Sequence, residues 1–225
     1  MFKFKIAILA VLSSLLFTKK AMSQDWANLG KYQEANKKIT VLQPNEQRVV
    51  FMGNSITEGM PKAFFKGKPF INRGIGGQTT PQMLLRFRQD VIDLEPSLVL
   101  ILAGTNDIAG NTGPMTLEEI RDNILSMVEL AKSNNIIPVV CSVLPAYDYP
   151  WQPGLQPNIK IPELNTMLSE MAEEKDVPYL DYFSAMTDER NGLPKELTTD
   201  EVHLTSKGYE ILGELAEKAI AKALE

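Results

Sequence analysis

The chain contains one histidine, His203, within TTDEVHLTSKGYEIL, and Asp200 precedes it by three residues. A carboxylate at that spacing in a loop can reach one ring nitrogen and fix the tautomer, which leaves the other nitrogen free to take a proton. Taken alone, D-x-x-H also describes a surface turn with a chance histidine. A hydroxyl is the natural target for such a base, because it is a poor nucleophile until its proton is removed during attack. Ser55 offers one in RVVFMGNSITEGM, Arg48 to Met60, where an apolar run stops at Gly53 and hands the chain to small polar residues. Two further segments, NRGIGGQTT and LAGTNDIAG, repeat the pattern of glycine beside small polar residues. Such loops let backbone N–H groups approach a ligand closely. Glycines that merely end strands would account for one of them less awkwardly than for three in succession.

Acyl transfer also requires donors aimed at a developing oxyanion. The candidates are the backbone N–H groups of Ser55 and Gly77 and the side-chain amide of Asn106. Simpler roles exist for two of these: a loop cap for Asn106, and for Gly77 a helix entry that needs an unusual dihedral. Asp107 is expected to cap or brace its loop. A lone histidine and a lone cysteine, Cys141, argue against zinc, whose sites take three or four N, S or O ligands. No metal and no cofactor are therefore expected, and Cys141, inside the apolar run IIPVVCSVLP, reads as a small core residue.

Apolar runs must mount these loops. Strands are expected at Arg48–Met52, Pro69–Asn72, Leu98–Leu102, Ile137–Val143 and Pro178–Asp181, and their lack of polar alternation implies burial on both faces. Amphipathic stretches lie between them: Pro81–Leu94, with Pro81 suited to a first turn, Leu117–Ser133, Ile161–Glu174, and a last helix after Thr205. A polar helix over Asp25–Ile39 and a short one near Ala63 complete the set. Regular alternation with short connections predicts a three-layer α/β/α sandwich around a parallel sheet of about five strands. In such sheets ligands bind beyond the carboxyl ends of the strands, where the three loops would gather.

The N-terminus reads as a leader rather than as part of the domain. Lys3 and Lys5 precede an apolar run from Ile6 to Phe17, too short to span a bilayer, followed by a small-residue site at Ala21 and Ser23. Lys19 and Lys20 are unusual at that flank, and an uncleaved anchor is the other reading. The expected organisation is a signal peptide over 1–23 and one domain over 24–225, exported to the periplasm or the exterior. Removing 1–23 takes away four lysines and no acid, leaving 19 basic against 28 acidic residues and a net charge of about −9. That surface excludes nucleic acid and anionic lipid as main partners, so no stable membrane association is expected after cleavage. Nothing in the sequence specifies an oligomeric state.

The four blocks resemble the GDSL/SGNH serine esterase superfamily, named for a serine, glycine, asparagine and histidine that fall here on Ser55, Gly77, Asn106 and His203. Asp200 takes the place of the family's acid. The second block looks nearest to the branch containing the platelet-activating-factor acetylhydrolase catalytic subunits, which also holds many small-acyl esterases. The resemblance implies a flavodoxin-like fold and metal-independent ester hydrolysis through a Ser-His-Asp triad and an acyl-enzyme. There are two departures: Asn54 replaces the usual aspartate before the serine, and Gln78 replaces the aspartate of the second block. Both are expected to leave a less acidic pocket.

Small-acyl, chiefly acetyl, esters on carbohydrate are the expected substrates. Tyr147, Tyr149 and Trp151, in PAYDYPWQPG, offer rings that could stack on a sugar or pack the loop onto the body. Arg73 could meet an anionic group or be an ordinary surface arginine. A lysophospholipase or thioesterase of the same superfamily and a non-catalytic glycan-binding protein are the other readings. A nucleotide or flavin module fits less well, because GIGGQT places Thr79 where G-x-G-x-x-G needs its third glycine.

Overall fold

The computed structural model describes residues 25–39 and 46–225. The signal peptide expected over 1–23 lies outside these residues. The elements, in chain order, are α1 Gly30–Asn36, β1 Val49–Gly53, α2 Ser55–Glu58, α3 Lys62–Phe65, β2 Phe70–Gly74, α4 Thr80–Asp90, β3 Leu98–Leu102, α5 Thr105–Ile108, α6 Leu117–Ser133, β4 Ile137–Cys141, α7 Pro157–Glu174, β5 Tyr179–Leu180, α8 Phe183–Met186 and α9 Ser206–Ala223.

The five strands form one parallel sheet in the order β2-β1-β3-β4-β5. Every residue of β1 and β3 is buried, as a sheet covered on both faces requires. Side chains alternate between two cores. Val50, Met52, Val99, Ile101 and Val140 meet α4, α6 and α7 through Met83, Phe87, Ile124, Met127, Leu164 and Leu168. Val49, Phe51, Leu98, Leu100 and Cys141 meet α9 through Leu212, Ala216 and Ile220. The expected three-layer sandwich is thus present, with Cys141 in its core. Strand order reverses between β1 and β3, which opens a crevice at their carboxyl ends.

Capping fixes where the long helices start. Thr116 and Glu119 form a reciprocal box at α6, with bonds of 3.2 and 2.8 Å, and Thr205 Oγ1 caps α9 by accepting from Gly208 N. The polar N-terminal helix is shorter than expected. Asp25 caps it from outside by accepting from Leu29 N and Gly30 N at 2.7 and 2.8 Å. By contrast, α7 begins four residues before the expected Ile161. Pro157 serves its first turn, and the carbonyl of Asn158, which Pro162 cannot satisfy, accepts from Asn191 Nδ2 at 3.1 Å. No helix among the described residues is long and apolar enough to cross a membrane.

Candidate active site

Ser55 is the first residue of α2, a single turn launched directly from β1. Asn54 caps that turn by accepting from Ile56 N at 3.0 Å. This turn folds back so tightly against β2 that a methyl group at Gly74 would stand 2.1 Å from the backbone nitrogen of Glu58. Close packing of backbone on backbone is therefore one reason glycine ends that strand.

His203 arrives from the far end of the chain. The loop before α9 is closed by a bridge between Thr198 and Leu204 and by Thr199 N donating to His203 O at 2.8 Å. Within it, Asp200 Oδ1 accepts from Val202 N and His203 N at 3.1 and 2.7 Å, and Oδ2 lies 2.7 Å from His203 Nδ1. The other ring nitrogen, Nε2, lies 3.0 Å from Ser55 Oγ, 148 residues away in sequence. Burial opposes ionisation of Asp200, but the His203 backbone N–H, its imidazole and the Val202 N–H outweigh it and hold the carboxyl below its ordinary range. An ionised Asp200 on Nδ1 leaves Nε2 unprotonated in the neutral ring, and so able to accept from Ser55.

The second loop passes beside Ser55, and the third is bonded to the second. A methyl group at Gly76 would lie 3.8 Å from Ser55 Cβ. Gln78 N donates to Ile75 O at 3.3 Å, and Gly77 has φ of +75°, so Ile75–Gln78 is a tight turn with glycine at the position that favours positive φ. Asn106, buried on α5, donates through Nδ2 to Gln78 O at 2.9 Å and keeps its second amide hydrogen. No acceptor among the described residues pairs with the backbone N–H of Ser55 or Gly77. These three donors thus stand just beyond the carboxyl ends of β1, β2 and β3.

The remaining predicted residues divide. Asp107 braces its loop: Oδ1 accepts from Thr80 N and Oγ1 at 2.8 and 2.6 Å. Tyr149 is fully buried, with its hydroxyl 2.9 Å from Thr105 Oγ1, and so packs the loop rather than meeting solvent. Trp151 is 47% exposed, stacks on Tyr149 at 5.2 Å, and stands 6.4 Å from the His203 ring between centroids. Tyr147 is half exposed beneath the Arg190 guanidinium, 4.9 Å away. Arg73 is neither an anion site nor a surface residue: it is buried, donates to Asn36 Oδ1 and lies over Tyr32.

Sequence reading missed Arg86. Its side chain is fully buried and donates to Gly53 O at 3.0 Å, Gln78 Oε1 at 2.5 Å and Asp90 Oδ2 at 3.1 Å, so one guanidinium ties the end of β1 to the second loop. The available signal was an Arg–Asp pair four apart on the apolar face of α4, beside Met83 and Phe87. Gln78 and Asn54, expected to make the pocket less acidic, are both buried structural braces. Gln78 Nε2 donates to Ala27 O at 2.7 Å while its Oε1 faces Arg86.

Residues 51–211 match the GDSL-like Lipase/Acylhydrolase family. A GDSL-like lipase from Bacteroides thetaiotaomicron is similar in structure, with a TM-score of 0.85 and 44% identity over 88% of this chain and 98% of that one. The isoamyl acetate-hydrolyzing esterase of Saccharomyces cerevisiae is 28% identical over 67% of this chain and 68% of its own. An uncharacterized lipoprotein of Bacillus subtilis, YqeF, is 36% identical over 78 residues, about a third of each chain. With a fold that agrees and a match across most of its length, the chain belongs to the GDSL-like lipase/acylhydrolase family of ester hydrolases.

Proposed function

We propose that the protein is an exported serine esterase that removes small acyl groups, chiefly acetyl, from carbohydrate, with Ser55, His203 and Asp200 as its triad. The observation that carries the chemistry is the 3.0 Å separation of Ser55 Oγ and His203 Nε2, with Asp200 on the opposite ring nitrogen. Neutral His203 takes the Ser55 proton as the hydroxyl attacks the ester carbonyl. The backbone N–H groups of Ser55 and Gly77 and the Asn106 amide hold the oxyanion. As the C–O bond breaks, the alcohol leaves with the proton from His203. Water, deprotonated by the same ring, then attacks the acyl-enzyme and frees Ser55 and the carboxylic acid. Activity falls on acidification, because a protonated imidazole cannot accept the serine proton.

Two further observations support the acyl and alcohol assignments. A relative named for an acetate ester supports a small acyl group. The half-exposed indole of Trp151, seated on Tyr149 beside the imidazole, supports a sugar, since an indole offers a flat apolar face with one polar edge. Export rests on the leader-like composition of residues 1–23.

A fluorophosphonate probe should label Ser55, and Ser55→Ala should lose both labelling and hydrolysis of 4-nitrophenyl acetate. A fully active Ser55→Ala enzyme would defeat the triad. Acetylated xylooligosaccharides should be preferred to lysophospholipid, and a strong preference for the lipid would defeat the carbohydrate reading alone.

A further inference from the structure

The N–H of Gly77 is useful to an oxyanion only if the turn carrying it is held still, and two consecutive glycines, Gly76 and Gly77, supply no side chains to hold it. The turn depends on hydrogen bonds from outside itself. Ile75 N donates to Gly53 O at 3.0 Å, Gly77 O accepts from Asn111 Nδ2 at 3.1 Å, and Gln78 O accepts from Asn106. A further anchor, the one on Gly76 itself, is charged. Gly76 N donates to Glu58 Oε2 at 2.7 Å, and Glu58 Oε1 in turn takes Lys31 Nζ at 2.5 Å.

Glu58 and the Lys31 that holds it are well placed to tie Gly76 to the nucleophile. Glu58 ends α2, the single turn that Ser55 begins, so its carboxylate reaches from the serine's own helix to the glycine turn. Lys31 comes from α1, which precedes the residues matched to the family. The same N-terminal segment grips both flanks of the turn: the Tyr32 hydroxyl donates to Gly74 O, and Ala27 O accepts from Gln78 Nε2. Burial works against ionisation of Glu58, but Lys31 and the Gly76 N–H together hold its carboxyl below the ordinary range. The carboxylate therefore stays an acceptor for the glycine amide.

We propose that Glu58, held by Lys31, is a positioning residue that fixes the Gly76–Gly77 turn at the distance from Ser55 where the Gly77 N–H meets the oxyanion. This rests on the assignment of Gly77 as an oxyanion donor. Oxyanion donors act on the transition state more than on bound substrate, so loosening the turn lowers kcat and leaves KM alone.

The test uses 4-nitrophenyl acetate and a fluorophosphonate label on wild type, Glu58→Ala, Glu58→Gln, Lys31→Met and Lys31→Arg. Glu58→Ala should lower kcat by roughly tenfold or more, with KM changed by less than about twofold. Glu58→Gln keeps a carbonyl for Gly76 N and should recover most of that loss. Both partners are more than a third exposed, which leaves the core intact, and thermal unfolding checks this. Should Glu58→Ala not fold, Lys31→Met reads the same device through a fall in kcat of a few-fold that Lys31→Arg restores. Wild-type kcat in Glu58→Ala, an equal loss in Glu58→Gln, or a parallel change in kcat and KM would overturn the positioning role while labelling of Ser55 upholds the esterase. A wild-type protein that neither labels nor hydrolyses overturns both.

Discussion

Asp107→Asn offers a test of how the third loop is built, because its expected effect changes with pH in a known direction. The carboxyl is buried, with Oδ1 taking two bonds from Thr80 and Oδ2 taking none among the described residues. Burial, only partly offset by the Thr80 bonds, pushes its pKa from 3.8 up to about 6. The folded protein therefore binds this proton more tightly than the unfolded chain does. The contribution to stability is complete below about pH 4 and is lost as pH rises through about 6. A shift of about two units at 1.36 kcal/mol each makes the ionised folded form about 3 kcal/mol less favourable. The amide introduced by the substitution would keep an oxygen for Thr80 and never ionise. Its buried NH2 adds a penalty of about 1–3 kcal/mol that does not vary with pH. The stability of the variant relative to wild type should therefore improve by about 3 kcal/mol between pH 4 and pH 8, with the change centred on pH 5–6. Urea unfolding of both proteins across that range measures it, since every other titrating group cancels in the difference. A difference constant to within about 0.5 kcal/mol would refute the reasoning, because Asp107 would then titrate as an ordinary carboxylate.

Arg86→Met should destabilise by about 3–5 kcal/mol in urea unfolding, since it leaves Asp90 a buried charge without its cation and removes one of the two bonds to Gly53 O; a loss under about 1 kcal/mol would count against the brace. Asp200→Asn should lower kcat by roughly 10³–10⁴-fold while Ser55 keeps its place, because the amide no longer favours the tautomer with Nε2 free. Gly77→Ala should fold, as the added methyl meets only Asn111 Nδ2 at 4.0 Å, but φ of +75° costs an L-residue about 1–2 kcal/mol. A drop in kcat without a change in KM is expected as the turn relaxes, and an unchanged kcat would argue that the turn is not shaped by that dihedral.

Where the sequence was legible, local physics was enough. Strand β3 falls on the predicted residues because an unbroken run of five Leu, Val and Ile is too short for a core helix and suits a strand buried on both faces. Helix α6 also matches, because its apolar stripe is framed by Thr116 and Glu119. Glycine loops at the ends of three parallel strands located the crevice in advance. Asp200 and His203 could be paired because both lie in one short loop. The single-turn helices α2 and α5 went unread, since four residues carry no period, and α7 was started late because Pro157 and Pro162 look like breakers.

Tertiary structure decided what no window of sequence contains. The role of Arg86 stays hidden until the end of β1 is seen to offer it a carbonyl. Tyr149 and Trp151 are two residues apart, yet one is buried against Thr105 while the other faces solvent beside the imidazole. Lys31, Glu58 and Gly76 form one chain of bonds across three separate segments. The residue types that can do chemistry are set by the sequence because reactivity belongs to side chains. Their separation to a few tenths of an ångström is set by the sheet, because only packed strands hold Ser55 and His203 together across 148 residues of chain.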